Sequence, residues 1–401
     1  MPDPPSLPGR SGAAVATGER RPIWPQIATP LLGFCAARVM LSLLGAGFWI
    51  AGLVPLTADG VLRPYFGVTP VTQGLAGALL GVWQRFDVIH YIRIAAGGYS
   101  APDLSAYFPL FPLLIRWIAA PLSDDFLLAA MLVSNGAAAL ALVAFYHLVK
   151  DEGGGAALGR RATLYMLFFP TAFFLLVPYT ESLALLFSLL TFRLARQGRW
   201  WSAGIAGLAG ALTRVHGVLV VPALLVEAAY QRKKGTRIRP AMVFAGFAPV
   251  GGFLGFVAWR ASMGFPALST VQRSYWHRVT TLPFRPIAST LGRLAANQAS
   301  FLELMDLAVV VLMLALGVMV VKRLPLTYSA FFWVVMLFNL TQLRIPEPLS
   351  DQARYAFGLF PAFMVLGQLG SHPRANRLVT YSFFAGWIYL AGQFILWGWV
   401  G

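Results

Sequence analysis

Apolar runs separated by short basic breaks are the feature that most constrains how this chain can fold. A helix needs about 20 apolar residues to cross the hydrocarbon core of a bilayer, and only helices or closed barrels satisfy their backbone groups there. The chain is 58% apolar and only 11% charged, whereas soluble domains carry about 25% charged residues. The sequence therefore predicts an all-α, polytopic integral membrane protein with about 10–11 transmembrane helices.

The predicted spans follow the apolar runs between charged breaks. They are 30–54, 124–149, 161–178, 181–196, 202–230, 241–262, 303–322, 326–343, 354–370 and 378–399. The run "YFPLFPLLIRWIAAPL" is short and contains three prolines, so it predicts a re-entrant or interfacial helix. The motif "TRVHG" breaks 202–230 into two short helices.

The domain organisation follows from the same pattern. The Pro- and Gly-rich residues 1–29 are expected to form a disordered cytoplasmic tail. Residues 30–399 are expected to form one transmembrane domain, with a large first extracytoplasmic loop at 55–107 and a second at 263–302. The single cysteine, Cys35, excludes an intramolecular disulfide.

The charge pattern predicts the orientation. The net charge is +16, but no basic stripe lies on polar helix faces, so nucleic acid is not the expected partner. The breaks "GRR", "RQGR", "RKKGTRIR" and "SHPRANR" hold Lys and Arg in short loops, which are typical of the cytoplasmic side. We therefore expect a multi-pass protein of the inner or plasma membrane with a cytoplasmic N-terminus.

Polar, charged and aromatic residues then fall on the opposite, extracytoplasmic side. They occur in five segments: 55–107, "PYTES", "TRVHG", 263–302 and "RIPEPLSDQARY". A transporter would be expected to keep such residues near mid-membrane, often in two repeated halves, and the sequence shows no repeat. The pattern favours one polar site at the outer face.

The stretch "WQRFDVIHYIRIAAGGYS" carries the first candidates. In a helix, Asp87, His90 and Tyr91 share a face, and Asp87 with His90 could bind a divalent cation or orient one another. Alternatively, Asp87 is a loop carboxylate neutralised by Arg85 or Arg93 on a solvated surface.

The other segments add cations and aromatics. Arg214 and His216 of "TRVHG" are either a helix cap and a turn residue or a phosphate-binding pair. Trp276 is an interfacial anchor or a platform for a sugar, and Glu181 caps a helix N-terminus or belongs to an active site. The motifs "RSYWHR" and "DQARY" contribute Tyr275, Trp276, His277, Arg278, Asp351, Arg354 and Tyr355.

Several blocks in order resemble the PIG-V-like mannosyltransferases, which are polytopic enzymes of the GT-C type. These blocks are "RFDVIHYIRIAAGGY", "YFPLFPLLIRW", "FFPTAFFLLVPYTESLALLF", "TRVHG", "SYWHR" and "SDQARYAFGLFPAF". The resemblance implies a GT-C-like bundle and transfer of a hexose, typically mannose, from a polyprenyl-phosphate sugar to a lipid or glycan acceptor outside the cytoplasm. It maps the key acid of the first outer loop onto Asp87. Where the family pattern is Arg-Trp-Asp-Ser, this chain has Phe86 and Val88.

These considerations predict an inverting transfer. Asp87 would act as general base or bind a metal or the acceptor hydroxyl, and Arg214, Arg354 and His216 would stabilise the leaving phosphate. The predicted catalytic residues are Asp87 and His90, and the predicted substrate-binding residues are Arg85, Tyr91, Arg93, Glu181, Arg214, His216, Trp276, Arg354 and Tyr355. No cofactor is assigned, and participation of Mg²⁺ or Mn²⁺ is left open.

Expected partners are the lipid-linked sugar, a glycolipid or glycan acceptor, and membrane lipids. Two alternatives remain at this stage: a transporter or flippase of a lipid-linked sugar, and a non-catalytic scaffold for envelope assembly.

Overall fold

The computed structural model describes residues 24–400, except Leu56 and Ile238. The predicted tail 1–29 therefore lies mostly outside the described residues, and its last part is already helical because the first helix begins at Trp24. The described part of the chain contains eighteen α-helices, several short 3-10 or π-helical turns and one small sheet. Together with the apolar membrane-length helices, this confirms an all-α polytopic membrane protein.

The helices differ widely in length. The first nine are α1 (Trp24–Ile50), α2 (Gly74–Leu79), α3 (Asp87–Gly97), α4 (Leu110–Ala119), α5 (Phe126–Val149), α6 (Gly155–Leu167), α7 (Glu181–Arg196), α8 (Trp200–Ala211) and α9 (Val221–Lys233). The remaining nine are α10 (Pro240–Ala245), α11 (Ala248–Ser262), α12 (Leu268–Trp276), α13 (Arg285–Ala295), α14 (Phe301–Arg323), α15 (Leu326–Leu340), α16 (Gln352–Ala356), α17 (Phe360–Leu369) and α18 (Pro373–Ile395). Strands β1 (Arg278–Thr280) and β2 (Gln342–Arg344) pair antiparallel, with Arg278 opposite Arg344.

Four helical stretches of the described chain are long and apolar enough to cross a membrane. They are Ala28–Ile50, Phe126–Leu167, Phe301–Arg323 and Pro373–Ile395. The second combines α5 and α6 through a π-helical turn with non-helical backbone at Gly153. About 10–11 transmembrane helices were predicted, and four helical stretches of the described chain have full membrane length. Most of the other apolar runs are divided into shorter helices.

The divisions have local causes. The predicted span 161–178 is wrong at both ends: α6 begins at Gly155 and ends at Leu167, and Pro170 follows within a turn. Proline lacks the N–H that would continue the helix. The break at "TRVHG" is confirmed, since α8 ends at Ala211 and a 3-10 helix, Val215–Val220, precedes α9.

Both predicted outer loops contain regular structure. Helices α2 and α3 lie in the first, and α12, β1 and α13 lie in the second. The short helix predicted from "YFPLFPLLIRWIAAPL" is α4, which continues as a 3-10 turn to Leu122. It packs on α3 and α5, so it fixes the first loop against the bundle.

The helices bury one side and leave apolar side chains on the other. Helix α7 packs between α5 and α8, and α11 packs on α8. Leu43 on α1 and Leu378 on α18 remain 67% and 71% exposed. Large apolar side chains on the outside suit a lipid environment better than water.

Candidate active site

The five polar segments named from the sequence all contribute to one cavity of about 420 Å³. The cavity lies where α3, the 3-10 turn before α9, α12 and α16 meet. Its charged or aromatic lining residues from these segments include Asp87, Tyr91, Tyr107, Arg214, His216, Arg273, Trp276, Arg278, Asp351, Arg354 and Tyr355. The end of α15 supplies Asn339, and Trp399 comes from the segment after α18. Polar groups from distant parts of the chain thus surround one concave space, as in most ligand sites.

Asp87 is the first residue of α3, and its carboxylate faces the cavity. The residue before it, Phe86, has φ of 51°, a conformation that costs a non-glycine residue free energy. The Phe86 ring is held by edge contacts to Phe394, Trp397 and Trp399, with centroids 5.5, 5.4 and 4.9 Å away. These contacts fix the turn that presents Asp87 at a helix N-terminus, where a carboxylate is stabilised.

The Asp87 carboxylate has two partners. The Tyr107 hydroxyl donates to Oδ1 at 3.0 Å, and Arg354 Nη1 donates to Oδ2 at 3.3 Å. Burial raises the pKa of Tyr107 well above its ordinary value, so Tyr107 stays a hydroxyl donor at neutral pH. The side chain of Asp87 is still 15% exposed, which leaves its carboxylate accessible from the cavity.

Arg354 lies at the centre of three carboxylates. Besides Asp87, its guanidinium is 3.2 Å from Asp351 Oδ1 and 3.7 Å from Glu181 Oε1. The side chain is only 6% exposed. A buried guanidinium with several carboxylate partners is held in one orientation, so Arg354 ties "FDVIHY", "PYTES" and "DQARY" together.

Two further arginines complete the network. Arg214 forms an ion pair with Glu181, and Arg278 forms one with Asp351. Burial alone would raise the pKa of Asp351, but the guanidiniums of Arg354 and Arg278 outweigh it and hold this pKa below its ordinary value. The three carboxylates are therefore balanced by three arginines.

The backbone around Arg354 is fixed by its neighbour Ala353. The Ala353 N–H donates to Asp306 Oδ1 of α14 at 2.7 Å, and the Ala353 carbonyl accepts from the Thr171 hydroxyl at 2.7 Å. Asp306 is 4% exposed and Thr171 is fully buried. Both peptide groups of Ala353 are thus held by buried side chains, which fixes where Arg354 projects.

The "TRVHG" turn is fixed by a close glycine contact. A Cβ on Gly217 would lie 2.1 Å from the carbonyl carbon of Gly210, so only glycine allows the turn to lie against α8. His216 Nε2 lies 2.8 Å from Asn339 Oδ1. Burial and the nearby Arg214 guanidinium lower the pKa of His216 to about 3. His216 is therefore neutral and uses its Nε2–H for Asn339.

Aromatic rings form one wall beside Asp87. Trp276 contacts the Tyr107 ring edge-on with centroids 5.5 Å apart. His90 stacks on Tyr107 with a centroid distance of 5.3 Å, and its ring also lies 6.2 Å from that of Trp276. Burial lowers the pKa of His90 below its ordinary value despite the nearby Asp87 and Asp103. His90 is thus a neutral ring that supports Tyr107.

The structure separates the predicted site residues into two groups. Those that line the cavity are Asp87, Tyr91, Arg214, His216, Trp276, Arg354 and Tyr355, and Glu181 lies directly behind Arg214 and Arg354.

Three other candidates lie outside that cavity. Arg93 pairs with Asp103 at 3.1 Å, and His90 lies 3.7 Å from the same carboxylate. Arg85 donates to the Tyr65 hydroxyl at 3.0 Å and lies over the Trp397 ring. Arg85, Arg93 and His90 therefore do not line the cavity, and their catalytic or substrate-binding roles stay predictions.

Several cavity residues were absent from the predicted set. Tyr107 and Asn339 gave no signal, because each is one polar group at the edge of an apolar run. Asp351 and Arg278 lie in motifs that were noted but were not assigned a role. Arg273 also lines the cavity, is exposed and, within the described part of the chain, is in no ion pair.

No group of three or more His, Cys, Asp or Glu side chains placed to hold a metal ion occurs among the described residues. The cavity carboxylates Asp87 and Asp351 each contact a guanidinium, so a divalent cation bound to them would lie beside a positive charge. The donor set fits Mg²⁺ or Mn²⁺ poorly.

A second, apolar groove of about 440 Å³ adjoins the cavity. Phe108 and Thr213 line the cavity, while their chain neighbours Pro109 and Leu212 line the groove. The Leu110 N–H donates to the Leu212 carbonyl at 3.0 Å, which joins α4 to the end of α8 here. The other groove residues include Leu113, Gly255, Phe256 and Trp259.

Residues 34–231 match the family model described as mannosyltransferase (PIG-V). The chain belongs to the PIG-V-like mannosyltransferase family. It is also 32% identical over 180 residues to GPI alpha-1,6-mannosyltransferase 2 of Rattus norvegicus. That alignment covers 42% of this chain and 36% of the rat protein.

The family match covers part of the cavity. Asp87, Glu181 and Arg214 lie within 34–231, whereas Trp276 and Arg354 lie beyond it. The chain thus spans about a third of the length of the relative it matches. The family match therefore includes only the first part of the site. The cavity brings that part together with the motifs "RSYWHR" and "DQARY".

Proposed function

We propose that the protein transfers a hexose, mannose by its family, from a polyprenyl-phosphate sugar to a hydroxyl group of a glycolipid or glycan. The transfer takes place in the cavity around Asp87. The distribution of Lys and Arg in the sequence supports an extracytoplasmic position for this cavity. The observation that carries the proposal is the Asp87 carboxylate, held by Tyr107 and Arg354 at the wall of a cavity that opens beside an apolar groove.

Asp87 is the base of the reaction. The acceptor O–H loses its proton to Asp87 as the oxygen attacks the anomeric carbon, and the bond from that carbon to the phosphate oxygen breaks. A single displacement of this kind inverts the anomeric configuration. Tyr107 and Arg354 each contact one carboxylate oxygen, so the Asp87 carboxylate is oriented before the acceptor arrives.

The leaving group gains negative charge as a phosphodiester becomes a phosphomonoester. Arginine donates paired hydrogen bonds to phosphate oxygens, and preorganised donors stabilise charge that develops in a transition state. Arg214, Arg278 and Arg354 are already balanced by carboxylates, so we assign the first phosphate contact to Arg273. His216 is neutral and its Nε2–H is used by Asn339; it orders the turn that carries Arg214.

The adjoining groove suits the isoprenoid chain of the donor. Its wall is formed by Leu113, Phe256, Trp259 and other apolar side chains, while the cavity beside it carries the charged groups. An amphiphile with a phosphate head and a hydrocarbon tail fits two neighbouring spaces of opposite polarity. A nucleotide sugar, which is polar throughout, would leave the groove unused.

The sugar ring would lie against Trp276 and Tyr107. Both rings line the cavity within reach of Asp87, and aromatic faces pack well on the C–H bonds of a pyranose. Asp351 and Asn339 also line the cavity, where each is already held by a protein partner.

The experiment is a transfer assay with the protein reconstituted in lipid nanodiscs. Polyprenyl-phosphate mannose and GDP-mannose are supplied separately, with lipid extract of the host as acceptor pool. We expect product only with the lipid-linked donor. Transport of the intact donor across proteoliposomes without sugar transfer would instead support the flippase alternative and overturn the proposal.

The groove assignment has a matched pair of variants on α11. Gly255 and Gly251 are both exposed, and a Cβ on either meets nothing within 4 Å, but only Gly255 lines the groove. Gly255→Trp should raise KM for the long-chain donor about tenfold with little change in kcat, while Gly251→Trp stays within twofold. Equal effects of the two substitutions would remove the groove from the donor site.

A further inference from the structure

A different groove, of about 670 Å³ and separate from the apolar groove beside the cavity, lies between α6 and α18. Arg160, Arg161, Ser371 and Asn376 line its polar part. Leu164, Phe168 and Phe384 line its apolar part. Among the described residues that line this groove, none is acidic. The mechanism uses none of them.

Polarity changes in the same direction along both walls. Along α6 and the residue that caps it, Arg160, Leu164 and Phe168 follow one another at intervals of four residues. On α18 the order is Asn376, Thr380 and Phe384. Residues four apart lie on one helix face. Tyr165 donates to Asn376 at 2.6 Å near the basic end, and the Phe168 and Phe384 rings meet at 5.7 Å near the other. The helices are thus side by side in parallel, with charged ends together and apolar ends together.

The groove lies far from the cavity around Asp87. Pro373, the first residue of α18, lines the groove, while Trp399, four residues beyond the helix end, lines the cavity. A 23-residue helix is about 33 Å long. The two sites therefore lie at opposite ends of the bundle, and the groove is at the end that the basic breaks assign to the cytoplasm.

The basic end has more positive charge around it than the lining alone. Arg374 and Arg377 lie in the first turns of α18 and are exposed, and the sequence has no Asp or Glu in 153–180 or 352–401. Arg161 Nε donates to the Gly367 carbonyl at 3.1 Å, whereas Arg160 is exposed and, among the described residues, enters no ion pair. An uncompensated arginine above an apolar slot in a membrane protein is the chemistry that recognises a phosphate head with an acyl chain.

We propose that this groove is a binding site for one anionic phospholipid, with its phosphate at Arg160 and an acyl chain along Leu164, Phe168 and Phe384. The contact to α6 and α18 would join the two helices at the end of the bundle remote from the cavity. This site is independent of the proposed transfer reaction.

The test measures lipid binding directly. The purified protein is titrated with phosphatidylglycerol or phosphatidylcholine in detergent, and bound lipids are counted by native mass spectrometry. We expect one phosphatidylglycerol to be retained at a concentration at least fivefold below that needed for phosphatidylcholine. Equal retention of the two lipids overturns the proposal.

Two pairs of variants locate the site. Thr380→Trp fills the groove without changing charge, and Ser382→Trp adds the same ring at an exposed position two residues away on α18. Arg160→Glu reverses the charge at the head, and Arg232→Glu makes the same change at an exposed position on α9. The first member of each pair should lower phosphatidylglycerol retention at least fivefold, and its control by less than twofold.

Folding and the ligand source are checked separately. Helical content and a single gel-filtration peak are recorded for all four variants, and Arg160→Glu remains informative if Thr380→Trp fails to fold. Equal loss in Arg232→Glu would show attraction by net charge alone and would refute the groove. Displacement of the bound lipid by a 10-fold excess of inorganic phosphate would also refute the groove, because it would show that binding does not require the acyl chain.

Discussion

Replacing Asp87 with asparagine should separate catalysis from stability. Asparagine keeps the shape of the side chain and an oxygen that accepts from Tyr107, but it cannot take a proton from the acceptor. Arg354 loses one partner at 3.3 Å and retains Asp351 at 3.2 Å and Glu181 at 3.7 Å. The network is left with one excess positive charge, but Arg354 keeps two carboxylate neighbours, so the full penalty for an unpaired buried charge does not apply.

The expected magnitudes differ enough to be measured. Loss of one hydrogen bond to a charged group costs about 1.5–3 kcal/mol of folding free energy. A positioned general base contributes about 10²–10⁴ in rate, which corresponds to about 3–5 kcal/mol of transition-state stabilisation. Asp87→Asn should therefore lower kcat at least a hundredfold, while the thermal unfolding midpoint shifts by only a few degrees.

Asp103→Asn is the matched control. Asp103 is a carboxylate of the same outer loop, 19% exposed against 15% for Asp87, and it is likewise paired with an arginine. It reaches Tyr107 only through the ring of His90, so kcat should stay within about fivefold of the wild type. Transfer from polyprenyl-phosphate mannose is measured for both. More than a tenth of wild-type activity in Asp87→Asn, or an equal loss in Asp103→Asn, would refute the assignment of the base.

Four further predictions test other parts of the site. Arg273→Ala should raise KM for the lipid-linked donor about tenfold, since a charged hydrogen bond is worth about 1.5–3 kcal/mol. Arg285→Ala, in the same outer loop, should leave KM within twofold. The pKa of His216 is lowered to about 3, so its stabilising effect is complete above the unfolded pKa of about 6.5 and declines as pH falls. Between pH 6.5 and 5.5 the wild type should therefore lose about 1.4 kcal/mol of unfolding free energy at most through His216. The His216→Gln variant should not show this loss in denaturant titrations at the two pH values. Treatment with EDTA should change kcat by less than twofold, because the cavity carboxylates are already engaged by arginines; recovery of a lost activity by Mn²⁺ would contradict this. Asp306→Leu should lower kcat and the unfolding midpoint together, whereas Asp306→Asn, which still accepts from the Ala353 N–H, should recover most of both.

The fold class could be predicted because it depends on composition averaged over long windows. Helix α7 begins and ends at the predicted residues 181 and 196, where a carboxylate opens the helix and basic residues close it. The span 161–178 could not be placed correctly. Its apolar composition suits both a helix and the buried irregular segment that follows α6, and Pro170 decides between them.

The site was predicted as a set of segments but not as a set of contacts. The ion pair between Asp87 and Arg354 joins residues 267 positions apart, and no local pattern carries that information. Arg85 is the opposite case, because it is near Asp87 in sequence but does not line the cavity. It lies two residues from Asp87 in sequence, yet it precedes α3 and its guanidinium is directed to Tyr65 and Trp397. Proximity in sequence predicts a shared face only within a regular element.

Asp306 illustrates how the apolar bundle and the polar cavity depend on one another. A carboxylate inside an apolar helix is costly in a membrane and therefore indicates a function, but its sequence context, "FLELMDLAVV", resembles an ordinary span. In the folded chain it accepts the Ala353 N–H, while Thr171, in the irregular segment after α6, donates to the Ala353 carbonyl. That irregular segment and the acidic side chain on α14 are both unfavourable as isolated features of a membrane helix. Together they hold the residue next to Arg354. The helices are therefore irregular at the place where the bundle fixes the guanidinium that orients Asp87.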